Sequence, residues 1–348
     1  MSCKRVNGNC LWIAEVWFAM LGRHGGPANR PRIGGSNSVQ ASTFSLKAGD
    51  GVSLAIHRWL PEARPKAVLQ IAHGLAEHGA RYARLAGALC GAGYAVYAND
   101  HRGHGLTAKT PADLGFFAGS GGWNACIADL RELRARIEAE HPGVPVFLMG
   151  HSLGSFMVQQ LIGQHGAGLA GAVLSATNSK PPAIAGVGGL LARLERLRIG
   201  ARGRSALLNA MLFGGFNRPF APTRTPFDWL SRDPAEVDKY MADPLCGFIP
   251  AVQLFIDSLG GVIGAAAPSC QAGIPKALPI YIFNGGRDPV ASNVGQLLAA
   301  YRAVGLKNVT HKVYPEARHE CLNEINRDEV TRDLIAWLGE AIAERPVF

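Results

Sequence analysis

Three residues of this 348-residue chain have the side chains and neighbours that acyl transfer needs. Ser152 lies in Gly150-His151-Ser152-Leu153-Gly154, a G-x-S-x-G pattern; Asp288 lies in Gly285-Gly286-Arg287-Asp288-Pro289-Val290; His319 lies in Glu316-Ala317-Arg318-His319-Glu320. A serine hydroxyl is a poor nucleophile near neutral pH, so a base must take its proton and later pass it to the leaving group, a task suited to an imidazole. A carboxylate behind that ring fixes its tautomer and stabilises its transient charge. The expected roles are therefore Ser152 as nucleophile, His319 as base and acid, and Asp288 as orienting acid. The developing oxyanion needs donors. The backbone amide of Leu153, in the first turn of a helix, is one candidate, and that of Leu75, in His73-Gly74-Leu75, is the other. Gly150 and Gly154 omit the side chains that would keep neighbouring backbone away from a strained turn.

Rival residues read differently. Asp257 falls in a helical stretch, and Asp100 is expected to pair with Arg102 to hold the loop Asp100-His101-Arg102-Gly103-His104-Gly105. His73, His78, His101, His104 and His151 crowd the same region, but no acidic partner recurs at metal spacing and no H-E-x-x-H occurs. Loop-packing hydrogen bonds are their expected use, with no metal and no cofactor.

The elements that must position these groups alternate. Apolar runs at 66–72, 94–99, 144–149 and 171–176 read as strands, with helices at 81–91, 123–141 and 156–164 between them; 52–59 suits an outer antiparallel strand. The rhythm breaks at Asn178. No strand fits 179–247, which instead offers helices at 183–199, 206–216 and 233–240. It resumes with a helix at 250–260, a strand at 280–284, a helix at 292–304, a strand at 309–314 and a helix at 329–344. This pattern predicts an α/β fold, a mostly parallel sheet with helices on both faces and a helical lid insertion. Ligands bind such sheets at the carboxyl ends of the strands, where Ser152, Asp288 and His319 all fall, in the Ser…Asp…His order of α/β-hydrolases. The division is an N-terminal extension at 1–38, a core at 39–178 and 248–348, and a lid at 179–247.

Composition narrows the classes. The net charge of +9 divides into +4 (5 − 1) from residues 1–38 and +5 (30 − 25) from the rest, with no nucleic-acid-binding motif alongside. Seven scattered cysteines without a C-x-x-C pair suit reduced thiols and a cytoplasmic protein. Glu15 interrupts the apolar stretch at 11–21, and His24-Gly25-Gly26-Pro27 is a poor cleavage site, so 1–38 reads as an extension rather than a signal sequence. No run reaches the roughly 18 apolar residues of a membrane span.

His73-Gly74-Leu75-Ala76-Glu77-His78 with Arg81-Tyr82, the 100–105 loop, the Ser152 pentapeptide and Asp288-Pro289-Val290 closely resemble the monoacylglycerol lipase/lysophospholipase family of α/β-hydrolases. Trp229-Leu230-Ser231-Arg232-Asp233 and Asp243-Pro244-Leu245-Cys246 look like its bacterial members, whose domain is of the serine aminopeptidase S33 type. The resemblance spans 41–338. It implies a cofactor-free enzyme cleaving carboxylic esters, often monoacylglycerols or lysophospholipids, and places the family's triad on Ser152, Asp288 and His319. Nothing in the family pattern corresponds to 1–38.

Leu190, Leu191, Leu194, Leu197, Leu207, Leu208, Met211, Leu212, Phe213 and Phe216 give the insertion an apolar roof suited to an acyl chain. Arg193, Arg196, Arg198, Arg202 and Arg204 interleave with them, a pattern shared by a solvated helix face and by a lid in transient contact with a membrane surface, here the inner membrane. The expected partner is a small acyl ester, most simply a single-acyl lipid, with no nucleic acid; nothing in the sequence sets an oligomeric state. An aminopeptidase of the same fold would need a lid carboxylate for the substrate amine, and Glu195, Asp228 and Glu236 are available. A small-ester esterase also remains. A binding protein without chemistry is disfavoured because all three triad candidates are present.

Overall fold

The computed structural model describes residues 39–179 and 185–344, so the expectations for 1–38 and for the start of the helix at 183–199 lie outside the described residues. The apolar runs pair into a single eight-stranded sheet in the order β1-β2-β4-β3-β5-β6-β7-β8. Its strands are β1 (Gln40–Lys47), β2 (Ser53–Leu60), β3 (Ala67–Ala72), β4 (Tyr94–Asn99), β5 (Val146–His151), β6 (Gly171–Ser175), β7 (Ile280–Gly285) and β8 (Val309–Tyr314). β1 and β2 are antiparallel to their neighbours and the others run parallel.

Helices cover both faces. α1 (Ala83–Gly91) precedes β4, α2 (Gly122–Glu140) precedes β5, and α3 (Leu153–His165) follows it. Between β6 and β7 run α4 (Ala185–Ile199), α5 (Ala206–Phe213), α6 (Pro234–Ala242), α7 (Val252–Ala265) and the short α8 (Pro268–Ala272); α9 (Val294–Ala303) and α10 (Arg327–Ala343) complete the chain. The strand period of two feeds two cores. Val68, Val146 and Leu148 pack with Leu130 and Ile137 of α2, Leu161 of α3 and Leu297 of α9. Leu69, Ile71, Phe147 and Met149 pack with Leu85 and Leu89 of α1 and Leu334 and Leu338 of α10. Central strands buried on both faces read as continuous apolar runs, which is why the sequence marks them so clearly.

Three elements depart from expectation. β1 carries only Phe44 and Leu46 as large apolar residues, and most of its side chains are exposed, so no apolar run marks this edge strand. α7 runs on to Ala265, past the expected end at Gly260. A Cβ at Gly261 would lie 2.0 Å from the Trp123 ring, so that glycine admits a close approach of α7 to α2. α8 is too short for a periodic signal.

Candidate active site

β5 ends at His151 and α3 starts at Leu153, leaving Ser152 alone to turn the chain, with φ +50° and ψ −118°. Such a conformation in a residue with a side chain costs of order 1–3 kcal/mol and persists only where its surroundings enforce it. They do. The Ser152 amide donates to Ser175 O at 3.0 Å, while Ser152 O accepts from the Ser155 amide at 2.9 Å and from its hydroxyl at 2.6 Å. A Cβ on Gly150 would sit 2.3 Å from Gly154 O, and one on Gly154 would sit 2.1 Å from Ala72 O. Both glycines of the motif are thus sites of backbone-to-backbone contact.

Asp288 leaves the end of β7 and His319 the end of β8, adjacent strands in register from Ile280↔Val309 to Gly285↔Tyr314. His319 Nδ1 lies 2.9 Å from Asp288 Oδ1, and both side chains are buried. A carboxylate can only accept, so Nδ1 carries the hydrogen and Nε2 the lone pair. Asp288 Oδ1 also accepts from the Val290 amide at 2.8 Å. Burial opposes a charged His319, but the charge and hydrogen bond of Asp288, with the charges of Glu320 and Glu77, outweigh it and raise the ring above its ordinary value of 6.5. The ring packs 4.8 Å from the Trp229 ring and 4.9 Å from that of His151, and the His319 amide donates to Trp229 O at 3.3 Å.

The loop after β3 passes directly beside the turn: a Cβ on Gly74 would lie 3.3 Å from Ser152 Cβ. Leu75 and Leu153 line the same cavity as Ser152. This loop is pinned on three sides. The Gly74 amide donates to Glu77 Oε1 at 2.6 Å, and Ala76 O accepts from the Tyr240 hydroxyl at 2.9 Å and from the Gly247 amide at 3.0 Å. Ala76 itself is held at φ +57°. Glu77, Trp229 and Tyr240 were not assigned roles from the sequence. Glu77 and Trp229 lie in the 73–78 and 229–233 motifs; Glu77 finds Gly74, Arg81 and Tyr82 within its own loop, whereas Trp229 meets the remote His319.

The remaining histidines form hydrogen-bonded packing. His73 Nδ1 donates to Gly74 O at 2.7 Å and its Nε2 accepts from the His101 amide at 2.9 Å; His101 Nε2 donates to His73 O at 3.1 Å; His104 Nδ1 donates to Arg102 O at 2.9 Å. Asp100 does not pair with Arg102. Fully buried, it accepts from His57 Nε2 at 3.1 Å and from the amides of Gly79 and Leu106 at 2.7 Å each, while Arg102 reaches across to α2 and ion-pairs with Asp129 at 2.7 Å and with Asp50. Among the described residues, His78, Asp243 and Cys246 bring three metal-type donor atoms within 4.8 Å, but His78 Nε2 and Asp243 Oδ2 are already bonded to each other at 2.8 Å.

These rings make an acid-sensitive core. Burial pushes His73 well below its usual range, His101 down to about 3, and His104 and His151 down to about 4. Below pH 6.5 the unfolded chain takes up protons that these folded rings refuse, so their contribution is complete above that value and shrinks as pH falls toward 4. The urea midpoint is therefore expected to drop steadily from pH 6.5 to 5, and a midpoint constant over that window would refute the neutral cluster.

Ser152 and His319 open on a cavity of about 520 Å³. Its walls include Leu212, Phe213, Phe216, Phe227, Phe255 and Leu259. Of the ten apolar insertion residues expected to form a roof, only Leu212, Phe213 and Phe216 line it. Leu208 packs with Ala192 and Val252, and Leu190, Leu194, Leu197, Leu207 and Met211 are exposed.

A family profile described as serine aminopeptidase, S33, matches residues 63–326. A monoacylglycerol lipase of Mycolicibacterium smegmatis is 29% identical over 312 residues, covering 86% of this chain and 98% of the relative. A human monoglyceride lipase is 29% identical over 293 residues, 81% of this chain and 88% of the relative. Among solved structures, a thermostable carboxyl esterase from Bacillus coagulans in complex with glycerol superposes with a TM-score of 0.81 at 27% identity, over 88% of this chain and 100% of that one. A soluble variant of monoglyceride lipase from Saccharomyces cerevisiae gives 0.66 at 19% identity, over 91% and 99%, a likeness of fold.

Proposed function

The chain belongs to the serine aminopeptidase S33 family of α/β-hydrolases, and from this premise we propose that it is a serine carboxylic-ester hydrolase acting on single-acyl lipids, monoacylglycerols or lysophospholipids. The observation that carries the reading is Ser152, held at φ +50° on an elbow that opens, with an Asp288-bonded His319, into one largely apolar cavity. In this mechanism Ser152 Oγ attacks the ester carbonyl carbon as His319 Nε2 takes its proton. The carbonyl oxygen becomes an oxyanion facing the amides of Leu75 and Leu153. Collapse breaks the bond to the alcohol, which leaves with the proton from His319, and water repeats the sequence to release the fatty acid and free Ser152.

Two kinds of support favour an acyl chain over an amine-bearing peptide. The relatives named above are monoacylglycerol and monoglyceride lipases, and the cavity walls are aromatic and aliphatic. The lid carboxylates an aminopeptidase would need are engaged elsewhere: Glu195 with Arg198 at 2.7 Å, Asp228 with Thr225, and Glu236 with Lys239 at 2.6 Å. None of the three lines the cavity. The test is hydrolysis of monoacylglycerols and lysophosphatidylcholines of short, medium and long chain beside a proline anilide. Turnover of the lipids is expected, with the chain-length optimum measuring the cavity. Turnover of the anilide alone would transfer the assignment to peptidase.

Substrates of this class sit in membranes, and the insertion offers a surface for reaching them. Leu190, Leu194 and Leu197 of α4 and Leu207 and Met211 of α5 point outward, Leu197 with 85% of its surface exposed, beside Arg193 and Arg196. Leu194→Glu with Leu197→Glu is expected to reduce turnover of monoacylglycerol in anionic vesicles several-fold while sparing a water-soluble ester. Equal losses on both substrates would count against membrane contact.

A further inference from the structure

Arg81 is almost wholly enclosed between two carboxylates. Its Nη1 donates to Glu77 Oε2 at 2.6 Å and to Glu320 Oε1 at 2.8 Å, and its Nη2 donates to Glu320 Oε2 at 2.7 Å. Its guanidinium also lies 4.9 Å from the centre of the Tyr240 ring. Each partner touches a different part of the site. Glu77 uses its other oxygen to hold the Gly74 amide at 2.6 Å, one residue before the Leu75 donor, and accepts from the Tyr82 hydroxyl at 3.1 Å. Glu320 follows His319, and its amide donates to Leu230 O at 2.8 Å. The chain Gly74–Glu77–Arg81–Glu320–His319 therefore connects the loop after β3 to the loop after β8, two strands that are not neighbours in the sheet.

Resting on the esterase reading, we propose that Arg81 is a positioning residue: clamped by Glu77 and Glu320, it fixes the Leu75 amide and the His319 ring in one frame around Ser152. A buried ion triad is a poor source of stability, because removing three groups from water offsets most of their attraction. Its value lies in direction. A planar guanidinium with fixed forks sets the separation and angle of both carboxylates, and hence of the two loops they hold. Small misplacements matter here, since roughly 1 Å in a reacting constellation can lower the rate about 10²-fold.

The triad also bears on the base. The groups facing His319 are Asp288 from β7, Glu320 on its own loop, Glu77 from the loop after β3 and His151 from β5, with Arg81 behind the two glutamates. Burial opposes ionisation of Glu320, but the charge and hydrogen bonds of Arg81 prevail and hold its carboxyl down to about 2. It therefore stays anionic and favours the imidazolium. Replacing it by the neutral isostere removes that support, so His319 should lose its proton at lower pH.

The experiment is the kcat and KM profile on a soluble p-nitrophenyl ester, from about pH 5 to 9, for wild type, Arg81→Lys, Arg81→Met and Glu320→Gln, with active sites counted by fluorophosphonate. Arg81→Lys keeps the charge but loses the fork; kcat per folded molecule is expected to fall roughly 10-fold or more at nearly constant KM, and Arg81→Met further, about 10²-fold. Arg81→Met strands two buried carboxylates and is the variant at risk of unfolding, so the charge-conserving Arg81→Lys and the isosteric Glu320→Gln decide the matter. In Glu320→Gln the acid limb of kcat/KM is expected to move down by roughly half a pH unit. Wild-type kcat in Arg81→Lys, or an unmoved limb in Glu320→Gln, overturns the proposal. Ester turnover by wild type that Ser152→Ala abolishes upholds the esterase reading whichever way the triad variants behave.

Discussion

Ser152→Ala is expected to abolish ester turnover, with kcat falling by roughly 10⁶-fold, while folding and lipid binding persist. The size follows from the mechanism: without Oγ no acyl-enzyme forms, and His319 and the amides of Leu75 and Leu153 act on a step that no longer occurs. Alanine is also easy to accommodate. The backbone bonds that hold position 152, from its amide to Ser175 O and from the Ser155 amide to its carbonyl, do not involve its side chain. The strained φ of +50° is imposed by the close contacts of Gly150 and Gly154 and is retained. Turnover on the lipid panel, loss of fluorophosphonate labelling and the thermal midpoint should be measured together. Ester turnover surviving in the variant would remove Ser152 from the mechanism, while activity lost along with the fold would leave the serine a structural role only.

Asp288→Asn is expected to lower kcat about 10⁴-fold near neutral pH with little change in KM. Asparagine can occupy the same space, but its amide is able to donate toward His319 Nδ1, reversing the polarity of the 2.9 Å contact. The hydrogen then moves to Nε2, the atom that must receive the serine proton. The pH profile gives a second readout. In the wild type, His319 is raised above 6.5, so activity should be lost as pH falls through a value above that figure, where the ring becomes protonated. Removing the Asp288 charge withdraws the main support for the imidazolium, so the acid limb of the variant should lie at lower pH than that of wild type. A variant with full activity, or with its limb displaced upward, would show that another group orients the ring.

Much of the architecture could be read because its signals are local. Buried parallel strands need apolar runs, a strand–turn–helix elbow needs glycines two residues either side of its serine, and both are visible within a short window of sequence. Asp288 and His319 were legible for a related reason: both follow strands, and a parallel sheet gathers strand ends along one edge. What failed depended on long-range contacts. The polar edge strand Gln40–Lys47 is defined by its pairing with β2 rather than by its composition. The partners of Arg102 are Asp50 and Asp129, each in a different element, where the nearest acidic residue in sequence had looked sufficient.

The insertion shows the same division. Its helical character was written in the residues, but amphipathic periodicity does not say which neighbour an apolar face meets. Leu212, Phe213 and Phe216 turn to the cavity, Leu208 turns to α4 and α7, and Leu197 turns to solvent, although all five are large apolar residues. Residue types and their order along the chain put forward Ser152, Asp288 and His319 and marked the strand ends that carry them. Their mutual geometry, the roof over the cavity, and the link through which Glu77, Arg81 and Glu320 join two loops more than two hundred residues apart in sequence exist only once the chain is folded. The physical reason is that propensity and periodicity act over a few residues, whereas a buried charge finds its partner wherever the fold brings one within hydrogen-bonding distance.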